Sequence, residues 1–257
     1  MRRPPTEVAT AAPLVPPHPS LGALRNAAAG CTACDLWRRA TQTVFGEGRA
    51  GAAVMLVGEQ PGNDEDLAGR PFVGPAGKFL ARVLEAAGIP REQTYITNAV
   101  KHFKWKPTGK RRIHEKPNSR EIAACRPWLE AEIAVVKPDV LVCLGSTAAQ
   151  SLLGKQFRVS IDRGKWIPSS LAPHVLATVH PSSVLRAPDD ESRRREEERL
   201  IHDLRVVARR IARDVSVTRY STTPGDQRYM KRAPLPVSAP MSTGRTLICA
   251  GMPRVRE

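Results

Sequence analysis

Four short apolar runs constrain this chain more than any other feature. They are Ala53-Val54-Met55-Leu56-Val57, Thr94-Tyr95-Ile96-Thr97-Asn98-Ala99-Val100, Val140-Leu141-Val142-Cys143-Leu144 and Val175-Leu176-Ala177-Thr178-Val179. Runs this short and continuous suit strands buried on both faces, because a half-exposed strand alternates apolar with polar residues. Helical signals lie between and after them. Residues 77–87 place Phe79, Leu80, Val83, Leu84 and Ala87 on one face, and Gly88 stops the pattern. Asn118 and Glu121 have the spacing of a capping box for a helix running to about Val136, which Pro138 ends. Gly145-Ser146 opens a short helix to about Leu153, and residues 190–212 carry the stripe Leu200, Leu204, Val207 and Ile211. Strands alternating with helices predict an α/β fold with a mostly parallel sheet covered on both faces.

Ligands of such sheets bind in the crevice beyond the carboxyl ends of the strands. Three polar clusters fall there: Gly58-Glu59-Gln60, Asn98 with the loop after it, and His180-Pro181-Ser182. They are distant in sequence yet share one predicted edge, which is therefore the expected active site. Gly58-Glu59-Gln60-Pro61-Gly62 forms a tight loop whose N–H groups can face a ligand, although its glycine spacing is wrong for a Walker or dinucleotide motif. Phe72, in a Gly/Pro-rich stretch from Gly69 to Gly77, either stacks on a planar base or folds back onto the core. His180 follows a buried strand, where it either donates to a developing anion or serves a structural role.

Residues 101–116 contain seven Lys/Arg and one acid, with Phe103 and Trp105 interleaved. Gly109, Pro107 within the stretch and Pro117 just after it argue for an exposed loop. Such a loop suits a phosphate backbone and unstacked bases, or is simply a solvated charged segment. His114 is its one group able to act as a nucleophile or base near neutral pH. The whole chain has 40 Lys+Arg against 25 Asp+Glu, a formal +15, which favours a polyanionic partner. No run of 18 apolar residues and no secretory pattern occur, so a soluble cytoplasmic protein with no membrane partner is expected.

Cys31, Cys34, Cys125 and Cys143 could hold an iron–sulfur cluster or zinc, and the 17 residues between the last two weigh against zinc. Alternatively, Cys125 and Cys143 are ordinary buried cysteines. Six prolines in residues 1–20 suggest a disordered arm. Residues 21–213 form the expected folded unit, and 214–257, with Cys249, a flexible basic tail.

Together, Cys31-x2-Cys34 with Cys125-x17-Cys143, Gly58-Glu59-Gln60-Pro61-Gly62, Pro71-Phe72-Val73-Gly74, Thr97-Asn98-Ala99-Val100-Lys101 and His180-Pro181-Ser182 resemble the iron–sulfur uracil-DNA glycosylases. The inserted Lys110-Arg111-Arg112-Ile113-His114 and Glu59-Gln60 are similar to the X-type branch, which forms a covalent link to DNA. The likeness spans about 25–210. It implies a three-layer α/β/α sandwich, with the four cysteines holding a structural [4Fe–4S] cluster. The implied substrate is a deoxyuridine flipped out of DNA, single strands preferred, with the chain acting as a monomer. Phe72 would stack on uracil, Asn98 would bond its pyrimidine edge, and Gly58 and Gln60 would line the pocket through their backbone. His180 would donate to the leaving uracil anion, and His114 would capture the sugar C1′. Glu59 would orient or deprotonate the nucleophile, or balance the cationic sugar. Lys110, Arg111, Arg112 and Ser182 would contact DNA. Asn63 stands where the X-type pattern has an acid. Two alternatives are a turnover glycosylase that leaves a free abasic site and a non-catalytic iron–sulfur DNA-binding protein.

Overall fold

The structure, a computed structural model, describes residues 9–220, with side chains as far as Arg213. The strands are β1 (Val54–Gly58), β2 (Thr94–Asn98), β3 (Trp105–Thr108), β4 (Arg111–His114), β5 (Val140–Leu144), β6 (Trp166–Ile167) and β7 (His174–Thr178). The helices are α1 (Leu21–Ala28), α2 (Asn63–Ala68), α3 (Pro75–Ala87), α4 (Ser119–Val136), α5 (Ser146–Leu153), α6 (Val159–Asp162), α7 (Pro181–Leu185) and α8 (Asp190–Tyr220).

The apolar runs do what their composition demands. Every residue of β1, β2 and β5 is buried. The sheet order is β2-β1-β5-β7-β6, parallel except for the short edge strand β6. Alternate side chains enter two cores. Val54, Leu56, Val140, Val142 and Leu176 pack on Phe79, Leu80 and Val83 of α3 and on Leu200, Leu204 and Val207 of α8. Met55, Val57, Leu141 and Val175 pack on Leu129 and Ile133 of α4 and on Ala148 and Leu152 of α5. The expected three-layer α/β/α architecture is present. The chain runs from β1 outward to β2 and later returns on the other side of β1 as β5. That reversal opens a crevice at the carboxyl ends of β1 and β5.

The capping box read from Asn118 and Glu121 is formed. Asn118 Oδ1 accepts from the Arg120 and Glu121 N–H groups at 2.9 Å, and Glu121 accepts from Asn118 N–H at 2.7 Å. Two expectations need revision. The arm drawn over 1–20 is anchored at one point: Ala11 is fully buried and its N–H donates to the Ala124 carbonyl at 2.8 Å, whereas residues 12–14 and 17–20 are exposed. The basic stretch is a hairpin rather than a loop. β3 and β4 pair antiparallel from Trp105↔His114 to Thr108↔Arg111, around Gly109 and Lys110. Gly109 has φ +57°, as a glycine at the first position of a two-residue hairpin turn requires. Pro107 is tolerated because a two-stranded ribbon has only edge strands. α8 runs to Tyr220, past the expected end near 212, and the tail from 221, with Cys249, lies outside the described residues. Among the described residues no helix is long and apolar enough to cross a membrane.

Candidate active site

A pocket of about 610 Å³ opens at the carboxyl edge of the sheet, where β1, β2, β5 and β7 end. Glu59, Gln60, Phe72, Asn98, His114 and His180 all line it, so six residues singled out from five separate stretches converge.

Asn98 ends β2 opposite Gly58 of β1. A Cβ on Gly58 would lie 2.3 Å from Asn98 Oδ1 and 2.7 Å from Phe72 Cζ, so only glycine lets the amide and the ring meet across this strand end. Asn98 is 2 % exposed, and among the described residues its side-chain amide makes no hydrogen bond, leaving both ends for a ligand. Phe72 sits at φ +56°, a costly conformation for a bulky residue. Its backbone is wedged against Gly77, where a Cβ would fall 1.7 Å from the Phe72 carbonyl oxygen. The Phe72 ring lies 6.1 Å from the His180 ring, tilted by 32°. The two rings thus flank the space where Asn98 presents its amide.

His180 caps α7. Its Nδ1 accepts from Ser182 N–H at 3.1 Å and lies 2.8 Å from Ser182 Oγ. With Nδ1 accepting, the neutral ring carries its proton on Nε2. Burial, reinforced by Arg186 and His114, pushes the His180 pKa down to about 4, so the ring is a neutral N–H donor at physiological pH. Ser182 orients this ring through its N–H and hydroxyl.

His114 ends β4 at the pocket mouth, with its side chain 49 % exposed and its Nε2 3.4 Å from Glu59 Oε1. Burial lowers its pKa. Glu59 pulls in the opposite direction, Arg186 adds to the lowering, and a contact with its own backbone opposes it. The net result is a neutral imidazole near pH 7. Glu59 is fixed by Thr147 at the start of α5, whose hydroxyl donates a short hydrogen bond to Oε2. The order Thr147–Glu59–His114 leaves Oε1 directed at the ring. Thr147 and Arg186 belong to no motif, and sequence reasoning missed both. Their only sequence signal is position: Thr147 comes soon after β5, and Arg186 ends the short helix α7 that follows β7.

The hairpin is held from inside. Strand alternation turns Arg112 inward and Arg111 outward. Arg112 Nη1 donates to Asp66 at 2.7 Å, Nε donates to Asn63 Oδ1 at 2.8 Å, and the guanidinium lies 5.5 Å from the Phe103 and Trp105 rings. Asp66 is fully buried and also accepts from Thr41 N–H. Arg112 is therefore a latch that ties the hairpin to α2, and its two aromatic neighbours flank its guanidinium. Phe103 is 1 % exposed, and the Trp105 indole N–H is tied to the Arg39 carbonyl. Lys110 and Arg111 remain exposed at the hairpin tip. The Gln60 side chain clamps the hairpin neck, donating to the Lys104 and Glu115 carbonyls and accepting from Lys104 N–H. Asn63, in place of an acid, supplies a neutral acceptor to Arg112. Glu65, also missed, accepts from Gly62 and Gly74 N–H groups and so ties the Glu59 loop to the Phe72 loop.

The cysteines divide. Cys31, Cys34 and Cys125 share a third cluster with Leu24, Phe45 and Trp128 and repel one another's thiolates. Trp128 Nε1–H and Lys101 N–H donate to the sulfurs of Cys31 and Cys125. Cys143 is elsewhere. It lies in mid-strand between Val57 and Ala177, in the core under α4 and α5, with its pKa pushed to about 12 by burial alone. The expected four-cysteine ligand set therefore does not assemble. Cys143 has the apolar, single-strand environment of an ordinary core cysteine.

Fold and site together define an α/β/α protein with an aromatic and amide-lined pocket at its strand edge, under a basic hairpin. Residues 45–205 match the uracil DNA glycosylase superfamily. A type-4 uracil-DNA glycosylase of Thermotoga maritima is 42% identical over 165 residues, covering 64% of this chain and 82% of that protein. One from Sulfurisphaera tokodaii is 35% identical over 203 residues, covering 76% and 89%. A type-5 enzyme of Thermus thermophilus is 30% identical over 158 residues, covering 54% and 68%. The chain belongs to the uracil DNA glycosylase superfamily.

Proposed function

We propose that this protein is a uracil-DNA glycosylase that excises uracil and becomes linked to the sugar C1′ through His114, as in the X-type branch. The coarse part rests on the superfamily match and the type-4 relatives. The finer part rests on one observation: His114 Nε2, beside Glu59, stands at the mouth of the pocket that Phe72, Asn98 and His180 furnish.

A deoxyuridine rotated out of the stack enters the crevice. Phe72 covers the ring, and the unpaired Asn98 amide meets its polar edge. The N1–C1′ bond then breaks, and its electron pair leaves with uracil. His180 Nε2–H donates to the anionic base, as a preorganised neutral donor does best in a dry site. The sugar is left as an oxocarbenium ion. A neutral imidazole has a lone pair to offer, and His114 Nε2 forms the new bond to C1′. The ring becomes cationic, and Glu59 lies where it balances that charge before the remaining N–H proton passes to solvent. Lys110, Arg111 and Arg186 place positive charge beside the phosphates. An inserted hairpin that occupies the entrance favours an extruded or single-stranded uracil, acted on by a monomer in the cytoplasm.

Cys31, Cys34 and Cys125 would supply thiolates to a [4Fe–4S] cluster, which would cross-link the N-terminal segment to α4 in a structural role. Incubation of the protein with uracil-containing single-stranded DNA, followed by a denaturing gel, tests the proposal. A heat-resistant shifted band is expected, absent with thymine DNA. His114→Ala should lose the band. Free abasic product in molar excess over the unmodified protein would instead establish a turnover enzyme.

A further inference from the structure

We propose that Lys101 is a positioning residue for uracil recognition: its buried ammonium pins the Asn98 backbone carbonyl and so sets the aim of the Asn98 amide. The inference rests on the uracil reading above and adds to it a residue that touches no substrate.

Lys101 is 1 % exposed, and Glu132 of α4 is fully buried. Lys101 Nζ donates to three acceptors, one for each of its protons: Glu132 Oε2 at 2.5 Å, the Asn98 carbonyl at 2.6 Å and Thr97 Oγ1 at 2.7 Å. The Phe45 ring lies 5.4 Å from the same ammonium. Glu132 is equally engaged. Its Oε1 accepts from the Tyr95 hydroxyl at 2.8 Å, the Thr97 hydroxyl at 2.9 Å and Gly46 N–H at 3.2 Å. A Cβ on Gly46 would lie 2.4 Å from that oxygen, so the fit needs glycine. The pairing with β1 continues past Asn98 only through N–H groups. Ala99 N–H donates to the Gly58 carbonyl at 2.9 Å, and Val100 N–H donates to the Glu59 carbonyl at 3.0 Å. The Asn98 carbonyl is the group that Lys101 takes. Thus β2 fixes the backbone before the Asn98 Cα, and Lys101 fixes the peptide after it. Desolvation makes a buried ion pair a poor source of stability, and an apolar pair of similar volume is often as stable. What an apolar pair does not supply is a donor to the Asn98 carbonyl. The three-way placement of the ammonium gives the strand end one backbone geometry, and the amide that lines the pocket inherits it.

The test uses the full chain carrying His114→Ala, which cannot form the proposed adduct. It is titrated with two single strands that differ at one position, uracil or a tetrahydrofuran abasic analogue. The ratio of the two affinities isolates what the base contributes. Lys101→Met combined with Glu132→Gln removes both charges, and the new amide oxygen still accepts from Tyr95, Thr97 and Gly46. This pair should lower the ratio about 10-fold and leave affinity for the abasic analogue unchanged. In an Asn98→Ala background it should lower the ratio no further, because both changes then act through one amide. Thr97→Val removes one of the three acceptors and keeps both charges. It should lower the ratio by a smaller factor, and it decides the matter if the charge-free variant does not fold. An unchanged ratio, an equal loss on both strands or a further fall in the Asn98→Ala background overturns the assignment. Equal affinity for the two strands with Lys101 intact overturns the uracil reading itself, a result distinct from failure of Lys101 alone.

Discussion

A single carboxylate sets the behaviour of His114, the proposed nucleophile. Among the described residues Glu59 is the one acid paired with His114 Nε2, and Thr147 fixes its rotamer from α5. Thr147→Val keeps the side-chain shape but removes the hydroxyl. It should slow adduct formation by about 10–100-fold without changing uracil-DNA affinity, and Thr147→Ser should restore the rate; single-turnover kinetics against binding in His114→Ala backgrounds separates the two. The pH dependence follows from the protonation state. In the proposed reaction only the neutral ring attacks, and His114 is held below its ordinary pKa of 6.5. The rate should therefore stay level as pH falls through the ordinary histidine range and drop only below it. Glu59 opposes that lowering, so Glu59→Gln should move the acid limb to still lower pH while reducing the plateau. An acid limb above pH 6.5 in the wild-type enzyme would show that the ring is not held in its neutral form.

The β3–β4 hairpin is a latched ribbon, which gives His114, the proposed nucleophile, a fixed position. Arg112 is the latch, and Asp66 its buried anchor. Among the described residues Arg112→Ala leaves that carboxylate with the Thr41 N–H alone, and breaking a buried pair in this way costs about 3–5 kcal/mol. Thermal melts should show the loss. Arg112→Lys should recover little, because a lysine cannot reach Asp66 and Asn63 together. This element was the least legible part of the sequence. Pro107 and Gly109 read as breakers, yet each is compatible with a two-stranded ribbon. Charge alone made Arg112 look like its neighbours Lys110 and Arg111, and only the strand alternation turns it inward. Phe103 was misread for the same reason: an aromatic within a basic run carries no mark of which side it faces. By contrast, the buried strands and the capped helix α4 were legible because each rests on several agreeing local signals.

At the scale of the molecule, one topological reversal brings the strand ends together, and that is why three distant clusters could be read as one site. Thr147, Arg186 and Glu65 escaped because each acts through a contact that only the assembled edge creates. The misplacement of Cys143 has the same origin, since sequence spacing does not show which layer a thiol enters. The formal charge of +15 makes capture of DNA electrostatic in its first step. Raising salt should therefore weaken noncovalent uracil-DNA binding steeply in His114→Ala, while the wild-type product, once formed, should resist high salt. The most direct test of the whole account is mass spectrometry of the peptide carrying His114, taken after reaction with uracil-containing DNA and nuclease digestion. The account predicts a deoxyribose-derived mass on that imidazole, stoichiometric with released uracil. Released uracil with an unmodified His114 would contradict it.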